Sequence, residues 1–349
     1  MKRFSILIAA LCLCLTGCGK QTTEAAAQIF AMDTVMEVAA YGEHAEQAVK
    51  YTEKRIEELE NRLSRTKAHS LVSGLNRDGS IRHLTYDYWN LIARAKEYRD
   101  ATNGAFDITI APIMDAWGFT GDQFRVPEQS ELNELLKHVN SDEIQIQEEP
   151  AHSVTLGEGQ AIDLGGIAKG YTSDWVEQTF RANGIESGKI SLGGNVFVLG
   201  TKPDGSDWRV GIKDPRNESG LAAILSLRDA YAITSGGYER YFEENGKTYH
   251  HIIDPSTGYP ADSGLLSVTV VAADNGPDWA GAGNGAMCDA FSTALFVMGE
   301  EQALDFWRNG GYDFDLVLVT EDGRVVITAG LADRFEEVKD SGYTYETVS

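Results

Sequence analysis

The chain is short of cysteine, proline and basic residues. Its 349 residues include 4 Cys, at positions 12, 14, 18 and 288. Cys12, Cys14 and Cys18 fall at the extreme N-terminus, so Cys288 alone is left to the body and no internal disulfide framework can form there. With only 8 Pro the chain is not a proline-rich linker or a collagenous repeat. Lys and Arg number 30 against 53 Asp and Glu, a formal net charge of −23. A surface this acidic repels phosphodiester backbones and excludes a nucleic-acid role. An anionic ligand would need local help from a metal, a lysine or backbone N–H groups. No apolar run after residue 15 reaches the ~18 residues that a membrane-spanning helix requires. What is abundant is apolar mass, 42%, enough for a real core, and glycine, at 36 residues. So many glycines imply many places where the backbone turns sharply or approaches something closely.

The N-terminus reads as a leader. Lys2 and Arg3 precede the apolar run Phe4–Leu15, too short to span a bilayer but suited to a signal peptide. Leu15-Thr16-Gly17-Cys18 follows and resembles a bacterial lipobox, cleaved before Cys18 and acylated on it. A plain signal peptide or an uncleaved anchor is the alternative. Residues 1–17 are therefore assigned to the signal. Cys18 to Gln28 is small and polar and is assigned to a flexible tether. The expected domain runs over 29–335, followed by a tail over 336–349.

Within the domain, apolar residues at Ala45, Ala48, Val49, Ile56, Leu59 and Leu63 have helical spacing over Glu43–Leu63. Further helices are predicted over Asp87–Ala101, Pro127–Val139, the end of Ile162–Asn183, and Cys288–Met298. Strands are predicted over Lys189–Leu199, Trp208–Ile212, Leu221–Leu227, Leu265–Ala273, Phe314–Thr320 and Arg324–Thr328. Glu321-Asp322-Gly323 marks a hairpin between the last two. Helices and strands do not alternate regularly. The expected class is α+β with largely antiparallel sheets in one compact, two-lobed unit.

Several segments could carry chemistry. Asp163-Leu164-Gly165-Gly166-Ile167-Ala168-Lys169-Gly170 is a glycine-rich turn opening a helix. Free N–H groups and a positive dipole end there suit phosphate, and Lys169 adds a full charge. A packing turn with a solvated lysine is the competing reading. The spacing is not that of a Walker A loop, and Gly281-Ala282-Gly283-Asn284-Gly285 resembles a dinucleotide motif only superficially. Asp289 and Thr293 are four apart in an apolar helix and share one face. Their hard oxygens suit Mg²⁺ or Ca²⁺, while a capping Asp with a back-bonded Thr is the structural alternative. His250-His251-Ile252-Ile253-Asp254-Pro255 joins a strand-like run to a turn, and a His beside an Asp is the arrangement of an oriented general base. Thr234-Ser235-Gly236 and Gly104-Ala105-Phe106-Asp107 add two more glycine turns.

Taken in order, these segments resemble the FAD:protein FMN transferase family, often called ApbE. Phe30-Ala31-Met32-Asp33-Thr34, Leu63-Ser64 with Ser70 and Leu75-Asn76, and Ser191-Leu192-Gly193-Gly194-Asn195 complete the set. The resemblance runs from about Ile29 to about Leu331. It implies an ApbE-like fold that binds FAD with Mg²⁺ and moves the FMN half onto a Thr or Ser hydroxyl of a partner protein, releasing AMP. It implies Asp289, Thr293 and Gly166 as metal ligands, with Ser292 a weaker candidate beside them. It places Met32, Thr66, Ala105, Phe106, Asp107, Asp163, Lys169 and Ile253 along the FAD site.

The acceptor hydroxyl needs a base. His251 is the candidate, with Asp254 as its orienter or alternative. With the leader, the implied location is the outer face of the cytoplasmic membrane, with an exported or membrane acceptor. One position departs from the family: Thr66 stands where transferases commonly carry an aromatic residue over the flavin ring. That leaves room for water and admits a second reaction, Mg²⁺-dependent hydrolysis of FAD to FMN and AMP. A non-enzymatic flavin-binding lipoprotein is the third reading.

Overall fold

The computed structural model describes residues 23–349 apart from 122, 218, 275 and 277–282, so the leader and Cys18 lie outside the described residues. Its frame is a nine-stranded sheet in which spatial order follows chain order. The strands are β1 (Glu24–Ala31), β2 (Thr34–Tyr41), β3 (Ser187–Leu192), β4 (Asn195–Leu199), β5 (Ala230–Gly236), β6 (Leu265–Ala273), β7 (Asp315–Thr320), β8 (Arg324–Thr328) and β9 (Thr344–Val348). Each pairs antiparallel with the next except β8 and β9, which are parallel. The expected α+β, mostly antiparallel architecture is what forms.

The helices are α1 (Ala45–Leu63), α2 (Leu71–Asp78), α3 (Tyr86–Ala101), α4 (Ala111–Trp117), α5 (Gln129–Leu135), α6 (Ala168–Ala182), α7 (Asn284–Met298) and α8 (Glu300–Asn309). None among the described residues is long and apolar enough to cross a membrane. α1, α6 and α7 bury their apolar residues against one face of the sheet, in the main core. The other face is closed by a three-stranded sheet (Trp208–Lys213, Leu221–Leu227 and Phe335–Glu337) over a second core. Covered on both faces, β6 needs no polar alternation, which explains its nearly unbroken run LLSVTVVAA. α7 is enclosed in the same way and is apolar nearly all round. In that setting Asp289, 2% exposed, is conspicuous.

Four sequence expectations change. The tether ends early, because Glu24–Ala31 is a strand: Ala25, Ala27 and Ile29 alternate inward and pack on the main core. Small side chains hide that strand from a hydrophobicity reading. Lys189–Leu199 is two strands rather than one, since Gly193 and Gly194 take φ of 57° and 92° and make a two-residue hairpin turn. α7 begins at Asn284, a turn before Cys288. The C-terminal tail is also ordered. Tyr343 donates its hydroxyl to Asp214 Oδ1 at 2.6 Å and Tyr345 to the Ala222 carbonyl at 3.0 Å, and these bonds draw β9 onto the sheet.

Candidate active site

Three chain segments converge where α6 begins. The first is the glycine turn itself. Asp163 donates its N–H to the Ile108 carbonyl at 2.7 Å and accepts from Gly165 N–H at 2.7 Å. The second is α7, running antiparallel beside α6. Gly170 N–H donates to Asp289 Oδ2 at 2.8 Å. The helices touch closely there, for a Cβ on Gly170 would lie 2.0 Å from the Gly285 carbonyl oxygen. The third is the end of β5, where Ser235 Oγ lies 2.8 Å from Ser292 Oγ and 3.2 Å from Thr293 Oγ1. Gly166 closes the ring: a Cβ there would stand 3.5 Å from Thr293 Oγ1 and 3.2 Å from the Phe106 ring.

Asp289, Ser292, Thr293, Gly166 and Phe106 are thus brought together, with Ser235 as a further oxygen that the glycine turn in β5 had marked only as a hydroxyl. The donor set fits a hard divalent cation. Asp289 Oδ2 is engaged by one N–H, and no hydrogen bond reaches Oδ1 among the described residues. The remaining donors are hydroxyl and carbonyl oxygens, with no thiolate or imidazole among them. No group of three or more His, Cys, Asp or Glu suited to a metal occurs among the described residues. A cation here would rest on a single carboxylate and neutral oxygens, leaving positions for water and phosphate, as Mg²⁺ prefers.

Lys169 adjoins this ring, next to Gly170, and His251 lies within electrostatic reach of Lys169. His251 Nδ1 lies 3.1 Å from the Arg240 carbonyl. A carbonyl only accepts, so Nδ1 carries the proton and Nε2 keeps its lone pair. Burial, then the Lys169 ammonium, hold the ring's pKa down to about 3. The Asp254 carboxylate is not its orienter. Asp254 Oδ1 accepts from Ser256 N–H at 2.8 Å and Ser256 Oγ at 2.7 Å, closing the turn after the His segment. The role given to Asp254 therefore passes to the Arg240 carbonyl, which no side-chain pattern announces. Glu239, also missed, lies within electrostatic reach of Lys169, and burial raises its pKa.

A stability effect follows from the His251 ring. An ordinary histidine protonates near 6.5, whereas folded His251 stays neutral to about pH 3. Between those values the unfolded chain binds the extra proton, so this site's contribution is complete above pH 6.5 and declines as pH falls toward 3. Chemical denaturation of His251→Asn between pH 7 and 4 should show a shallower loss of stability than wild type. An unchanged slope would mean that His251 protonates normally in the fold.

The remaining predicted site residues divide. Met32 lies in the β1–β2 turn with φ 50°, its N–H on Glu60 Oε1 at 3.0 Å, while Lys67 Nζ reaches Glu60 Oε2 at 2.6 Å. Glu60 so ties the Met32 turn to the segment carrying Thr66. Thr66 is exposed, with Oγ1 3.0 Å from Ser64 Oγ. Arg65, unmarked in the sequence, donates to Asp115 Oδ2 at 2.6 Å and sits 3.5 Å from Asp163 Oδ2, linking that segment to the glycine turn. Asp107 is structural. Its carboxylate accepts from Thr109 N–H at 2.8 Å, Thr109 Oγ1 at 2.6 Å and Ser141 N–H at 3.0 Å, all buried. Ala105 is half-buried beside Phe106. Ile253 packs with Ile113, Trp117, Phe119 and Leu132 in a third, small core.

The chain matches the ApbE family over residues 32–316. It is 31% identical to an FAD:protein FMN transferase of Treponema pallidum, over 83% of this chain and 82% of that protein. It is 34% identical to one of Klebsiella pneumoniae, over 82% and 86%. The fold superposes on the ApbE protein of Thermotoga maritima with a TM-score of 0.77 and 31% identity, covering 91% and 97% of the two chains. The flavin transferase ApbE of Vibrio cholerae shares the fold at a TM-score of 0.74 and 23% identity, over 92% and 98%.

Proposed function

The chain belongs to the ApbE family and is a flavin transferase, and from that premise we propose that it moves FMN from FAD to a Thr or Ser hydroxyl of an exported or membrane protein, with Mg²⁺ and release of AMP. The observation that carries the proposal is the oxygen ring of Asp289, Thr293, Ser292, Ser235 and Gly166 next to Lys169, with His251 in electrostatic reach of that lysine. Asp289, Thr293 and the Gly166 carbonyl would hold the metal, with Ser292 and Ser235 next to them. Bound Mg²⁺ supplies charge neutralisation on the pyrophosphate.

This chain's residues supply the rest. Glycines 165 and 166 let backbone approach the phosphates. Lys169 offers a cation to the charge that builds on the AMP side as the anhydride breaks. The acceptor oxygen attacks the FMN phosphorus, the P–O bond to AMP breaks, and AMP leaves with the electron pair. His251 Nε2 takes the hydroxyl proton. A pKa near 3 is low for that task, but the same ring beside a bound pyrophosphate gains anionic neighbours, which raise it.

Anchoring through Cys18 on the outer face of the cytoplasmic membrane is part of the proposal and rests on the leader alone. Hydrolysis of FAD is a second reading, favoured by the exposed Thr66, which leaves a flavin face without an aromatic cover. Following AMP release with and without an acceptor protein separates the two. Transfer predicts AMP that tracks acceptor concentration and stops with chelator. Acceptor-independent AMP would favour hydrolysis.

A further inference from the structure

The glycines of Gly283-Asn284-Gly285 have a structural cause outside the flavin site. They open α7, whose first N–H groups need acceptors. Ordinarily the N-cap side chain accepts, but here the cap is Gly283 and has none. The acceptor comes instead from α6. Asp174 Oδ2 accepts from Gly283 N–H at 3.0 Å and Ala286 N–H at 3.0 Å, and Oδ1 accepts from Gly285 N–H at 2.8 Å. A Cβ on Gly285 would come within 2.6 Å of Asp174 Oδ1, so the close seat requires glycine. Asp174 is 3% exposed. Burial raises its pKa to about 7, against the pull of these donors and of the Tyr231 hydroxyl.

The two helices run antiparallel and are joined by two rungs. Gly170 N–H to Asp289 Oδ2 is one, and Gly285 N–H to Asp174 Oδ1 is the other. The rungs are four residues apart on each helix, about 6 Å along the axis. We infer that Asp174 is a positioning residue, holding the start of α7 on α6 so that Asp289 and Thr293 are presented at the glycine turn that opens α6. The inference rests on the proposed metal reading. Asp174 also borders a cavity of about 280 Å³, together with Arg94, Glu177, Asp274 and Met287. Both its oxygens are nevertheless turned to α7, so the cap accounts for the carboxylate.

The test is calorimetric titration of Mg²⁺ into the full chain, wild type and Asp174→Asn, without substrate. Asn presents one acceptor oxygen and turns its NH₂ against N–H groups that need an acceptor. Because the adjoining cavity is lined by Asp174 and Gly283, water can reach the first of those N–H groups, and the variant is expected to fold. If it does not, Asp174→Ser, smaller and uncharged, takes its place. Removing a partner that orients a metal ligand weakens metal binding by about 10- to 100-fold, and Asp174→Asn should do so. FAD affinity in chelator should stay within about twofold, since the metal ligands rather than the flavin contacts move. Val325→Ala, in the second core, serves as a stability control and should leave the Mg²⁺ affinity at the wild-type value. Wild-type Mg²⁺ affinity in Asp174→Asn, or an equal loss in Val325→Ala, overturns the positioning role. Absence of Mg²⁺ binding in wild type overturns the metal reading and this inference with it.

Discussion

Asp289→Ala should all but abolish FMN transfer while leaving the chain folded. Asp289 is the single carboxylate among the described residues of the oxygen ring, so its loss removes the full negative charge that the ring offers a cation. A metal stabilises phosphoryl-transfer charge by several kcal/mol. At ~1.4 kcal/mol per tenfold, that is a rate loss on the order of a thousandfold. The same variant should lose Mg²⁺ binding in a titration without acceptor. Stability should fall only modestly, because the carboxylate serves one backbone donor, Gly170 N–H, and an unmade hydrogen bond costs about 1–3 kcal/mol. Unfolding by urea, read alongside the Mg²⁺ titration, separates the outcomes. Near-normal transfer in a variant that no longer binds Mg²⁺ would remove the metal from the reaction.

His251→Ala should lower transfer by about 10²- to 10⁴-fold, the usual worth of a positioned general base. FAD and Mg²⁺ affinities should stay close to wild type, because the His251 ring is held by the Arg240 carbonyl and, among the described residues, makes no hydrogen bond to the oxygen ring. Single-turnover rates with saturating FAD read the chemical step directly. If FAD affinity collapses and the rate at saturation survives, His251 positions ligand and the base lies elsewhere. Asp254→Asn serves as comparison: with its carboxylate closing a turn on Ser256, it should affect stability more than rate.

Much of the frame was legible in the sequence, and the reasons are local. Leu265–Ala273 and Arg324–Thr328 are strands with the boundaries read from their β-branched runs. The spacing of Asp289 and Thr293 placed both on one face of α7. β1 escaped because alanine carries little hydrophobic signal, and β9 because its anchors, Tyr343 and Tyr345, bond to residues over a hundred positions away.

The site divides along the same line. Hard oxygens can be recognised by residue type, so Asp289 and Thr293 stood out on one face of α7, whereas Ser292 entered only through the family resemblance. The partner of His251 is a backbone carbonyl, Arg65 acts through the fold, and Asp174 caps another helix; none leaves a side-chain pattern. Asp107 reads as an FAD-site residue and Asp254 as the partner of a base because a glycine turn with an aspartate serves a turn and a site equally well. Only the hydrogen bonds to Ser141 and Ser256 distinguish the two uses.

The central claim is that a protein hydroxyl, not water, receives the FMN. Intact-mass spectrometry of an exported acceptor protein, incubated with the chain, FAD and Mg²⁺, tests it most directly. The account predicts a gain of one FMN less water on the acceptor, one AMP released per acceptor modified, and loss of both with chelator or with the acceptor Thr replaced by Ala. An unmodified acceptor beside accumulating free FMN and AMP would contradict it and make the enzyme a hydrolase.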